Sequence, residues 1–169
     1  MSSYYGLYNV SLFTALLQRD IETYSEAIFM ARSEWHRKFH SRNLAVLLYE
    51  AAEDLPQLLG KDYRNWLTDI GLTQQQSRLN TITRQIAKFK DTHSHFLKEI
   101  RNYVGAHREQ NSLAQLNCMD SMDSLQVYRV AAELGPSIKA LIDYQTDLLK
   151  FMHNPSVMLD NAIKHVQRT

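Results

Sequence analysis

The chain has 169 residues, with 19 Lys and Arg against 18 Asp and Glu, for a formal net charge of +1. That length suits one domain with a sizeable core, and the near-neutral balance excludes nucleic-acid binding by bulk charge, leaving only a local patch. A lone cysteine, Cys118, cannot form an internal disulfide and fits a reducing compartment. In chain order, Met1 to Gly6 lack the basic-then-apolar pattern of a secretory signal. No run approaches the roughly 20 apolar residues of a membrane span. A cytoplasmic protein with no membrane attachment is expected.

Leu16, Leu17, Ile21, Tyr24, Ala27, Ile28, Ala31 and Trp35 follow Phe13 at three- and four-residue steps. This predicts one long amphipathic helix. A second helix carries Leu44, Leu47, Leu48, Ala51 and Leu55 and is expected to stop near Pro56. Lys61 to Leu72 reads as a short helix or turn with Trp66 and Ile70 inward. Thr73 with Gln76 has the spacing of a capping box. It opens a third long helix bearing Leu79, Ile82, Ile86, Phe89, Phe96, Ile100 and Val104.

Residues 108–122 read as an irregular connection. Asp120 or Ser121 is the expected cap of a fourth helix with Leu125, Tyr128, Ala132, Ile138, Leu141, Leu148 and Met152, kinked or split at Gly135-Pro136. Asn154-Pro155 predicts a cap and first-turn proline for a terminal helix over 156–166. With few glycines and prolines and no repeat or linker, the fold class is all-α: a single domain, residues 1–169, built as a bundle of four to five helices.

Chemistry concentrates in Arg101-Asn102-Tyr103-Val104-Gly105-Ala106-His107. Arginine is shaped to grip a phosphate with two parallel hydrogen bonds. Histidine can take and give a proton near neutral pH. Six residues correspond to about 240° around an ideal helix, so Arg101 and His107 do not share a face of one. Gly105 can end the helix and turn His107 and Arg108 back, or a two-fold axis can bring His107 of one chain to Arg101 of another. The dipeptide itself is ordinary, since Arg42-Asn43 and Arg64-Asn65 also occur.

Arg101-Asn102-x4-His107, behind a long helix in an all-helical chain, resembles the signature of the HEPN superfamily. The stretch Ile100 to Glu109 is similar to abortive-infection-type members. The motif likeness covers about ten residues; the helical layout matches more loosely. The resemblance implies a homodimer whose two motifs form one composite cleft. It also implies a metal-independent endoribonuclease, of the kind found as the toxin of a toxin–antitoxin or anti-phage system. Arg101 would then hold the scissile phosphate, Asn102 would orient the phosphate or His107, and His107 would act as general acid or base. Arg108 would extend substrate binding. RNA is the implied substrate and an antitoxin protein a possible partner, with no cofactor and no metal. Other members are catalytically silent and only bind partners, so a non-catalytic module binding protein or RNA is the alternative.

Other groups point elsewhere. His36 and His40 have a metal-chelating i, i+4 spacing, but Arg37 and Lys38 repel cations. His93 and His95 diverge on a helix, and His153 and His165 have no evident companions. Glu50, Glu53 and Asp54 form an acidic stretch, a solvated face from which one carboxylate could reach Arg101. Arg32, Arg37, Lys38 and Arg42 flank Trp35 and read as an exposed charged face, with an RNA-tracking surface as the rarer reading. Tyr4, Tyr5 and Tyr8 suggest an interface or staple.

Overall fold

Apolar residues at helical spacing give six α-helices in a computed structural model that describes residues 3–104, 112–154 and 156. They are α1 (Ser3–Phe29), α2 (Glu34–Leu58), α3 (Lys61–Asp69), α4 (Gln76–Val104), α5 (Ser112–Ser121) and α6 (Ser124–Met152). No strand occurs among the described residues. The chain is an all-α bundle.

Helix ends explain where the sequence reading shifts. The first helix stops at Phe29 rather than continuing to Trp35, because Ser33 opens a new one, its hydroxyl accepting the His36 N–H at 3.2 Å. Periodicity runs across this break while direction reverses. Leu16 and Trp35, expected in the core, are each 56% exposed. As expected, α2 stops near Pro56, which lies in its last turn, two residues before the helix ends at Leu58. By contrast, α6 runs unbroken through Gly135-Pro136, where Ala132 and Pro136 face solvent, so the freed carbonyl can meet water.

No capping box forms at Thr73. A 3-10 turn, Thr73–Gln75, precedes α4, and the Gln76 amide donates instead to Thr68 Oγ1 at 3.3 Å. The connection read over 108–122 contains α5, and Asp123 rather than Asp120 or Ser121 caps α6, accepting from the Leu125 and Gln126 N–H groups. Asn154 accepts the Ser156 N–H at 3.0 Å, the expected cap chemistry, whereas the predicted terminal helix beyond Ser156 lies outside the described residues.

The four long helices run up, down, up and down. Thr14–Gln145 and Phe29–Tyr128 pair α1 antiparallel with α6, and Arg78–Asp147 and His93–Glu133 pair α4 antiparallel with α6. Leu44, Leu48 and Leu55 of α2, Leu79, Ile86 and Leu97 of α4, and Leu134 and Leu141 of α6 fill the centre, each at most 0% exposed to rounding. Each such burial stabilises by about 1.5–3 kcal/mol before entropy is counted.

One end is closed by α3. Ser3 Oγ donates to Asp69 Oδ2 at 2.8 Å, and the half-buried Trp66 ring lies against Gly6, where an added Cβ would sit 2.6 Å from it. After α3, the Leu72 N–H bonds to Leu67 O and the Gly71 N–H to Thr68 O, with Gly71 at φ +79°. This is a Schellman cap, which requires the left-handed residue. Its two apolar partners, Leu67 and Leu72, are both buried. The opposite end holds the α1–α2 corner, the C-terminal turn of α4, and α5.

Candidate functional site around Arg101

The apolar stripe of α4 faces the bundle, which fixes where its last turn aims its polar side chains. Arg101, in that turn, projects toward α2 and is half-buried. Its Nε donates to Glu50 Oε1 at 3.2 Å, and the guanidinium carbon lies 5.5 Å from the centre of the Tyr49 ring. A carboxylate on one edge and an aromatic face below hold the planar group in a defined orientation. Neither terminal Nη atom bonds a described residue. The acidic stretch of α2 thus supplies the carboxylate that reaches Arg101, and Glu50 is the member that does so. Glu53 pairs instead with Lys90 at 2.7 Å, a bond that raises the Lys90 pKa.

Asn102 is exposed and points about 100° away around the helix. The two neighbouring motif side chains therefore diverge. Gly105, His107 and Arg108 lie outside the described residues, and with them the helix break and the meeting of His107 with Arg101.

A groove of about 580 Å³ flanks the other side of the same turn, lined by Phe96, Glu99 and Ile100 of α4, Cys118 of α5, and Met122 and Gln126 near the start of α6, among others. Burial, with the nearby Glu99 charge adding to it, pushes the Cys118 thiol up, so it is held neutral rather than activated. Arg101 does not line this groove. Sequence reasoning missed it because the 108–122 stretch has no clear apolar period, and α5 forms by packing on α4 and α2.

Elsewhere, His93 Nε2 lies 2.8 Å from Glu133 Oε2. His153 does have a companion: its Nδ1 faces the Leu149 carbonyl at 2.7 Å and its Nε2 the Tyr8 hydroxyl at 3.0 Å. A carbonyl only accepts, so Nδ1 carries the proton and, in the neutral ring, Tyr8 donates to Nε2. Tyr8 acts as a staple between α1 and the end of α6. His36 and His40 line a second recess at the α1–α2 corner. Among the described residues no group of three or more His, Cys, Asp or Glu is placed to hold a metal ion, and no helix is long and apolar enough to cross a membrane.

Comparison with known proteins found no matching family model, no similar curated protein and no similar solved structure.

Proposed function

We propose that this chain is a metal-independent endoribonuclease of HEPN type, acting as a homodimer in which Arg101, Asn102 and His107 of the two protomers form one cleft. A toxin of a toxin–antitoxin or anti-phage system, restrained in the cytoplasm by an antitoxin protein, is the corresponding biological role. The observation that supports it best is the setting of Arg101. It sits at the end of a long helix, oriented by Glu50 and Tyr49, with its Nη edge not bonded to any described residue. That edge is the one a phosphate takes in a two-point grip.

In this reading the ribose 2′-OH attacks the adjacent phosphorus and the 5′-oxygen departs with a proton. A cyclic phosphate and a 5′-hydroxyl remain. Arg101 neutralises charge growing on the non-bridging oxygens. His107 transfers the proton, Asn102 orients it or the phosphate, and Arg108 holds flanking backbone.

One observation favours the non-catalytic alternative. The Arg101–Glu50 bond also ties α4 to α2, and a salt bridge that fixes helix packing needs no substrate. The two readings separate in a cleavage assay on mixed-sequence RNA with a chelator present. The nuclease reading expects cyclic-phosphate products, a loss of at least about 100-fold in Arg101→Ala, and no cleavage by His107→Ala at unchanged melting temperature. Equal cleavage by wild type and His107→Ala, or none by either, sinks it.

A further inference from the structure

The α1–α2 corner carries an unusual surface. Phe29, Met30, Trp35 and Phe39 are 61%, 74%, 56% and 40% exposed within eleven residues of chain. Single exposed apolar residues are ordinary, but four together mark a contact surface. Cations are interleaved with them. Arg32 is exposed, and the Arg42 guanidinium lies 5.0 Å from the centre of the Phe39 ring.

Two acids of this region are engaged: Glu34 pairs with Arg37 at 2.6 Å, and Asp120 of α5 pairs with Lys38 at 3.6 Å. The same corner holds a recess of about 410 Å³, bounded by Ala27, Met30, Ala31, Arg32, His36 and His40. The His40 Nδ1 atom is buried there with no hydrogen-bond partner among the described residues.

We infer that this corner is a docking surface for single-stranded RNA, with Trp35 as the stacking platform and Arg32 and Arg42, the latter seated on the Phe39 ring, as phosphate contacts. The choice of RNA as the polymer rests on the nuclease reading above; the surface itself does not. Trp35 and Phe39 are four residues apart on α2, so their rings stand on one face, one turn from each other. Aromatic faces beside cations are the common means of holding single strands without sequence preference. A lipid surface fits less well, because Arg42 covers the Phe39 ring and Phe29 is packed edge-on against Tyr128 at 4.7 Å.

The placement also gives direction. On an ideal helix Phe39 and Glu50 fall within about 20° of one another and about 17 Å apart along the axis. Glu50 is the partner of Arg101. A strand stacked at the corner can therefore continue along α2 to the proposed catalytic arginine.

The test uses the full chain and a fluorescein-labelled oligouridine 12-mer with 2′-O-methyl groups, which lacks the attacking hydroxyl and so reports binding without cleavage. Anisotropy should show salt-sensitive binding. Trp35→Ala and Arg42→Glu should each weaken it about tenfold, and the same charge change at exposed Lys139 should not. Both corner variants are at exposed or half-buried sites, and far-UV dichroism checks that they fold. Binding unaffected by either substitution overturns the proposal, as does an absence of binding. Corner-dependent binding to phosphatidylserine vesicles without RNA binding makes a membrane the occupant and overturns it too. Corner-dependent binding without any cleavage of ordinary RNA leaves the surface standing and removes the nuclease reading. Cleavage with binding indifferent to the corner does the reverse.

Discussion

The two ends of the bundle are built on opposite terms. At the α3 end, Tyr63, Leu67 and Leu72 are buried, a Schellman cap turns the chain, and a tryptophan is seated on a glycine. At the α1–α2 corner, four large apolar side chains face solvent beside one recess, and a second groove flanks the last turn of α4. The first end spends its apolar residues on stability. The second leaves them available for contact, and the arginine of the motif lies toward that end. Chemistry-bearing residues are more readily found where packing does not claim every side chain.

This contrast can be broken most directly by truncation. Leu67→Ala should cost about 2–5 kcal/mol in urea unfolding, whereas Trp35→Ala should stay within about 0.5 kcal/mol. A comparable loss at Trp35 would mean the corner is structural. Gly6→Ala should cost about 1–3 kcal/mol, because its methyl meets the Trp66 ring and the ring must move. A changed near-UV signal from Trp66 would accompany the loss; no loss would show that α3 is loosely seated.

Asp123→Ala removes the cap of α6 at the open end and should cost about 1 kcal/mol by thermal melting. An effect nearer zero would mean that end frays already. The smallest effect at neutral pH concerns the closed end. Burial raises the Tyr63 pKa, with the Tyr144 hydroxyl adding to it and Gln145 offsetting a little; burial raises Tyr144 as well, against nearby Arg78 and Arg64. Both rings are neutral in either state below pH about 10, so stability is full there. Above it the unfolded chain ionises first, and stability falls as pH climbs toward the raised folded values. Tyr144→Phe, whose hydroxyl has no partner among the described residues, should be nearly neutral at pH 7 and less alkali-sensitive. Equal alkaline sensitivity would refute the assignment.

Much of the fold was legible from periodicity. The stripe Leu79, Ile82, Ile86, Phe89 and Ile100 is buried as read, and Ile70 packs inward as expected. Several helix ends were not legible. Ser33 caps a helix in the middle of an unbroken apolar rhythm, and Pro136 sits where its lost hydrogen bond is cheap, although α2 does stop near Pro56 as read. Leu16 and Leu125 obey the rhythm but lie on outward faces, which period alone does not distinguish once a helix is apolar on two sides. At the candidate site, the residue types named a chemistry and Glu50 was among the partners foreseen for Arg101. The contribution of Tyr49 depends on the α2–α4 register, which no local pattern encodes. The exposed rings at the corner could have been suspected from the cations interleaved with Trp35 and Phe39.

The hydrogen bond from the Gln145 amide to Thr14 joins residues 131 positions apart. As the chain leaves the ribosome, α1 appears first, yet a complete face of it waits for α6. The α1–α2 hairpin can close early, being local, while Leu7, Val10 and Leu17 stay only partly covered until the last long helix docks. Nascent chains halted before residue 124 should therefore be the species a chaperone holds, and release of α6 the step that sets when the bundle becomes native.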